Sequence, residues 1–151
     1  MSRRHNYFVD WSAAVASPTV SSAIITGGTT VRFCLYEIVV GFSSAPADNA
    51  IVYKAQRSTA AGTSSSYTPV PLDSADAVAI SAAGTVVTGE PTYTSNKVVW
   101  HYALNQRATA RWISDPDGPI VSPATSNNGV GIYPVSGSAT PTADGSCYFY
   151  E

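Results

Sequence analysis

Apolar and polar residues alternate with a period of two through much of this chain. In residues 98–113, V-V-W-H-Y-A-L-N-Q-R-A-T-A-R-W-I, one phase holds Val98, Trp100, Tyr102 and Leu104, and the other holds Val99, His101 and Ala103. That is the pattern of a half-buried strand. After the polar break Asn105-Gln106-Arg107 the alternation resumes, with Ala108, Ala110 and Trp112 in one phase. The pattern predicts two strands joined by a polar corner as a core hairpin, not a helix.

Residues 31–42 (V-R-F-C-L-Y-E-I-V-V-G-F) form the strongest strand, apolar in both phases except for Arg32 and Glu37. It should lie centrally with both faces covered, and Glu37 should be paired or face an interface. Residues 51–58 follow as a second strand, with Ile51, Tyr53 and Ala55 in one phase. Further strands are expected within 78–87, at 120–121, at 130–135 and at 147–151. Pro134 argues for a sheet edge or a strand end, because it removes a ladder donor.

Breakers divide these runs. Pro46, Asp48 and Asn49 mark one turn, and Pro116 and Gly118 another, within 114–119. Asn127-Asn128-Gly129 marks a third. The expected loops are 59–76, with an apolar centre suited to partner contact, and 136–145. In the first 30 residues, Tyr7, Phe8, Val9 and Trp11 cluster before breaks at Ser17-Pro18 and Gly27-Gly28. Residues 1–30 read as an extended N-terminal arm or edge strand, and 31–151 as a single domain. About eight short strands without an amphipathic helix predict an all-β antiparallel sandwich, jelly roll first and immunoglobulin-like second.

Composition sharpens this picture. Only 12% of the 151 residues are charged and the formal net charge is -2. Basic residues stand singly apart from Arg3-Arg4, so no stripe exists for a phosphate backbone, and direct nucleic-acid binding is not expected. No segment has the ~20 apolar residues of a membrane span. The run 7–16 is too short and polar for a secretory leader, and a soluble protein used without secretion is expected. Cys34 and Cys147 have neither zinc-ligand spacing nor a disulfide framework, and read as free thiols.

No residue set announces chemistry. His5 and His101 lack a partner motif, and Asp115-Pro-Asp117-Gly118 lacks the remaining ligands of a calcium loop. There is no G-x-S-x-G elbow. Glu37, Glu90 and Asp117 are the acids to test for glycoside hydrolysis. The expectation is a protein that is not an enzyme, with no catalytic residue, metal or cofactor.

Several phrases carry a resemblance: Y-K-A-Q-R-S-T-A-A-G-T, Y-T-P-V-P-L-D, L-N-Q-R-A-T-A-R-W-I, P-A-T-S-N-N-G-V-G-I and the aromatic strand ending at Glu151. Over residues 36–151 the chain resembles small proteins of tailed bacteriophages, cyanophages included, that look like capsid decoration (cement) proteins. The resemblance implies a jelly roll, commonly a homotrimer, made in the host cytoplasm and seated on the virion's outer surface against the major capsid protein. It brings no catalytic residues. Subunit or capsid contacts are then expected from the N-terminal arm through Phe8 and Trp11, from the 59–76 loop through Tyr67, Pro69 and Pro71, and from Arg107 and Arg111. The alternative is a carbohydrate-binding sandwich on a virion or host enzyme, with Trp11, Trp112 or Tyr67 as its aromatic platform.

Overall fold

The computed structural model describes residues 4–15, 20–136 and 141–151. Arg3, the Ser17-Pro18 break and residues 137–140 of the expected C-terminal loop lie outside them. The protein is all-β, with two antiparallel sheets packed face to face as a β-sandwich. In chain order the strands are β1 (Asn6–Ala14), β2 (Ala23–Thr26), β3 (Cys34–Ser44), β4 (Ala50–Ala60), β5 (Thr63–Tyr67) and β6 (Val70–Pro71). They continue with β7 (Ala82–Gly89), β8 (Thr92–Asn105), β9 (Ala110–Ile113), β10 (Ile120–Val121), β11 (Gly129–Ser136) and β12 (Thr142–Tyr150). The first sheet runs β10-β3-β12-β1-β6, with β9 also on β3, and the second runs β5-β7-β2-β11-β4-β8.

Alternation decides which side chains fill the space between the sheets. From the first sheet come Tyr7, Val9, Trp11, Leu35, Ile38, Val40, Cys147 and Phe149; from the second come Ile25, Ile51, Tyr53, Ala55, Trp100, Leu104, Val130 and Ile132. The expected phase of the 51–58 run is thus the one observed, whereas β3 is interior as expected but fully buried on one face only, through Leu35, Ile38 and Val40. Tyr53, buried at the centre, bonds Ser22 Oγ at 3.2 Å, and burial pushes its phenol up to about 12.

Three expectations are corrected. The described part of the first 30 residues is not an extended arm: β1 pairs along its length with β12 and at Tyr7 and Phe8 with β6, and β2 lies between β11 and β7. The apolar phases of both strands can be buried only inside the sandwich. Half of residues 59–76 is strand, supplying the end of β4, all of β5 and all of β6. Residues 142–145, expected as loop, belong to β12. Pro134 lies near the end of β11, beyond the last residue paired with β2, so the expected strand end is observed, and the register against β4 shifts between Pro134 and Ser136.

The 98–113 stretch is two strands, but not a hairpin. β8 pairs with β4 in one sheet and β9 with β3 in the other, so the polar break carries the chain across the sandwich. Gln106 is buried at this corner. Its Oε1 accepts from Ala47 N at 2.9 Å, and its own N–H donates to Asn49 O at 3.1 Å. Asn105 Nδ2 donates to Asp48 Oδ1 at 2.6 Å, so the corner is clamped to the turn before β4.

Cys34 and Cys147 are both free, on the adjacent strands β3 and β12 of one sheet. The inter-sheet cysteine pair of an immunoglobulin-like core is therefore absent.

Candidate functional site

The outward face of the first sheet carries a set of aromatic side chains and an apolar edge, while Val86, Val98 and Tyr102 are exposed on the second sheet. With Tyr7, Val9 and Trp11 pointing inward on β1, Asn6, Phe8 and Asp10 point out. The same logic turns Tyr148 and Tyr150 outward on β12, because Cys147 and Phe149 are buried.

At the β1–β6 edge, Phe8 pairs with Val70 and Tyr7 with Pro71. Val70 is 49% exposed and Leu72 55%, followed along the chain by Val78 at 66% and Ile80 at 56%. The segment that carries them is held from several sides. Leu72 N donates to Asn6 O at 2.8 Å, and Tyr7 Oη donates to Ala77 O at 3.1 Å. The Glu151 carboxylate accepts from Ile80 N at 2.6 Å, Ser81 N at 3.0 Å and Ser81 Oγ at 2.7 Å. His5 Nδ1 lies 2.9 Å from Asp76 Oδ1. The four aliphatic side chains thus project from an anchored backbone.

Toward the other side of the same face, Tyr148, Tyr36 and Tyr150 form a row. Ring centroids are 6.3 Å apart for Tyr36–Tyr148 and 6.1 Å for Tyr36–Tyr150, the latter pair stacked at 29°. The Arg4 guanidinium stands 4.5 Å over the Tyr150 ring, in cation–π contact. A cleft of about 270 Å³ opens beside them, lined by Arg4, Asn6, Tyr36, Ser114, Pro116, Pro119 and Tyr150. Partial burial raises the Tyr36 and Tyr150 phenols above their usual range, so both are hydroxyl donors at neutral pH.

The candidate acids Glu37 and Glu90 belong to different sheets. Glu37 Oε1 accepts from Arg111 Nε at 2.7 Å on the first sheet, which meets the expectation that it be paired. Glu90, after β7 of the second sheet, accepts from Ser21 N at 2.8 Å and Ser21 Oγ at 2.6 Å. These bonds anchor the segment entering β2. Among the described residues no group of three His, Cys, Asp or Glu could hold a metal ion.

The expected contact residues divide. Phe8, half-buried, and Pro71 lie at the β1–β6 edge, and Arg111 lies on the same sheet beside Glu37. Arg107 is exposed at the corner between β8 and β9. Trp11 and Pro69 are corrected: both are buried, Trp11 in the core, and neither can reach a partner. Tyr67 is half-buried against the core, and its hydroxyl donates to Asp10. The expected platform of Trp11, Trp112 and Tyr67 is not assembled, since Trp112 also packs on the core.

Sequence reasoning missed Val78, Ile80 and the tyrosine row. Tyr148 and Tyr150 alternate with Cys147 and Phe149, so their shared face was readable once the inward phase was known. Tyr36 joins them only through the pairing of β3 with β12. Comparison with protein families, curated proteins and solved structures finds no match to this chain.

Proposed function

We propose that this protein works by surface contact as a capsid decoration (cement) protein of a tailed bacteriophage, seated as a trimer on the outside of the major capsid shell. The observation that carries the reading is the apolar edge of Phe8, Val70, Leu72, Val78 and Ile80 on an anchored backbone. Contiguous exposed apolar patches on soluble domains mark interaction sites, since each such side chain costs free energy until something covers it. Aliphatic and aromatic groups with few charges suit a protein surface, not a polyanion. The resemblance read from the sequence phrases supplies the setting.

The strand order supports the finer reading of the fold. With β5, β6 and β7 set aside as additions, β1-β12-β3 with β9 and β10 forms one sheet and β2-β11-β4-β8 the other. First and last strands lie side by side and connections cross between sheets, as in a jelly roll. Three copies in one rigid body would multiply a weak edge contact into tight attachment.

The test is quantitative mass spectrometry of purified particles, with sedimentation of the isolated protein. Many copies per particle and a three-fold assembly are expected. Particles without the protein would overturn the decoration reading, and a monomer at high concentration would overturn the trimer. Val70→Asp with Leu72→Asp should leave the sandwich folded and abolish attachment to shells stripped of the protein.

A further inference from the structure

The tyrosine row adjoins the apolar edge, since the ring centroids of Tyr148 and Phe8 are 5.1 Å apart, but its geometry asks for a different ligand. Tyr148, Tyr36 and Tyr150 present successive rings along the outer face of β12 and β3, with Arg4, Asn6 and Ser114 offering hydrogen-bond groups around the cleft beside them. A ligand that fits must have flat apolar faces for the rings and a polar rim for those side chains. A pyranose has both: its C–H faces stack on aromatic rings and its hydroxyls radiate from the edge.

Charge narrows the class. Arg4 and Asp117 act on Tyr150 with opposite sign, and Arg111 is paired with Glu37 on the same sheet. The surroundings are balanced, which favours neither a phosphate nor a polyanion. Size narrows it further. A cleft of about 270 Å³ falls just below the roughly 300–1,000 Å³ of drug-sized pockets, so one or two sugar rings would fill it, with further rings lying along the row.

We propose that the Tyr148–Tyr36–Tyr150 row and the adjoining Arg4–Ser114 cleft form a binding site for a neutral oligosaccharide. The site includes none of the aliphatic side chains Val70, Leu72, Val78 and Ile80, so sugar binding by the isolated protein does not rest on the decoration reading, although Phe8 of that edge touches Tyr148.

The experiment presents the full-length protein with maltotetraose, cellotetraose, mannotetraose and a β-1,4-galactotetraose, read by saturation-transfer NMR and titration. At least one should receive saturation on its ring C–H protons and bind saturably. Tyr36→Ala and Tyr150→Ala should each weaken that binding at least tenfold. Arg4→Ala, at the exposed chain start where the fold is not at stake, should weaken it severalfold. Melting curves should show all three variants folded, with Tyr36→Ala and Tyr150→Ala lowered by the lost ring contacts, and their capsid attachment should match the parent. Absence of binding to all four sugars would overturn the proposal, as would binding unchanged by these substitutions. Capture of a proline-rich decapeptide in the cleft, with no sugar bound, would overturn it in favour of peptide recognition.

Discussion

Trp11 on β1 covers Gly145, the residue paired with it on β12. A Cβ at position 145 would lie 2.2 Å from Trp11 Cζ2, 2.5 Å from Cε2 and 2.8 Å from Val39 O. The indole, 4% exposed, occupies the space that a side chain at 145 would need. An aromatic residue read as a docking anchor is therefore a core residue, and a glycine read as loop is the gap that admits it.

Trp11→Ala should destabilise the fold by about 3–5 kcal/mol, the usual cost of emptying a large aromatic site. Gly145→Ala should cost about 1–3 kcal/mol through overpacking against indole and backbone. Removing residues 1–14 should abolish folding, because β12 would lose its neighbour along all nine pairs from Asn6–Tyr150 to Ala14–Thr142. Urea unfolding followed by circular dichroism measures all three. A folded sandwich after the deletion would contradict this account.

Gln106→Ala should cost about 1–3 kcal/mol, leaving the Ala47 N–H without its acceptor at the corner between the sheets. The loss should localise: amide exchange at Ala47 should accelerate more than in the β3–β12 ladder. Uniform acceleration would show that the corner is not a separate clamp.

The two thiols should react unequally. Burial pushes the Cys147 thiol up, and the residue is fully enclosed, while Cys34 is partly exposed on the outer face. An aromatic disulfide reagent at pH 8 should titrate one thiol in the native protein and two in denaturant. Two fast-reacting native thiols would contradict this packing.

Stability should fall at alkaline pH. Burial raises the Tyr53 phenol from 10.0 to about 12, outweighing the Ser22 bond that lowers it. The folded state therefore keeps a proton that the unfolded chain gives up. This contribution is whole below pH 10 and is lost as the pH climbs towards about 12. Tyr53→Phe should make the decline of unfolding midpoint across this range shallower, and an unchanged slope would assign the decline to other tyrosines.

Much of the fold was legible because strand phase is local. The alternation of Ile51, Tyr53 and Ala55 requires nothing distant to be read, and all three are fully buried. The short strands β5 and β6 were not legible. Thr63-Ser-Ser-Ser-Tyr67 has little apolar content of its own and is extended by pairing with β7, while Val70–Pro71 is ordered by β1. Of the candidate site, Phe8 and Pro71 were identified from aromatic and proline content. Val78 and Ile80 were absorbed into an expected strand, because an exposed aliphatic run looks the same in sequence as a buried one.

The sequence by itself determined the all-β class, the inward phase of β4, and the lack of any strongly charged surface, but not the inward face of β8, where Val98 and Tyr102 are exposed. These follow from side-chain chemistry repeated every second residue. Tertiary structure alone decided which strands are neighbours, and with that which outward residues meet. Tyr36 and Tyr148 lie 112 positions apart and share a ring contact only because β3 and β12 are adjacent. The 98–113 run shows the same division. Its two strands were written in the alternation, but only Trp100 and Leu104 of the expected inward phase are buried in β8, and burial of Gln106 against the 47–49 turn sends the strands to opposite sheets. Local pattern fixes the face of a residue, while pairing between distant segments fixes its company.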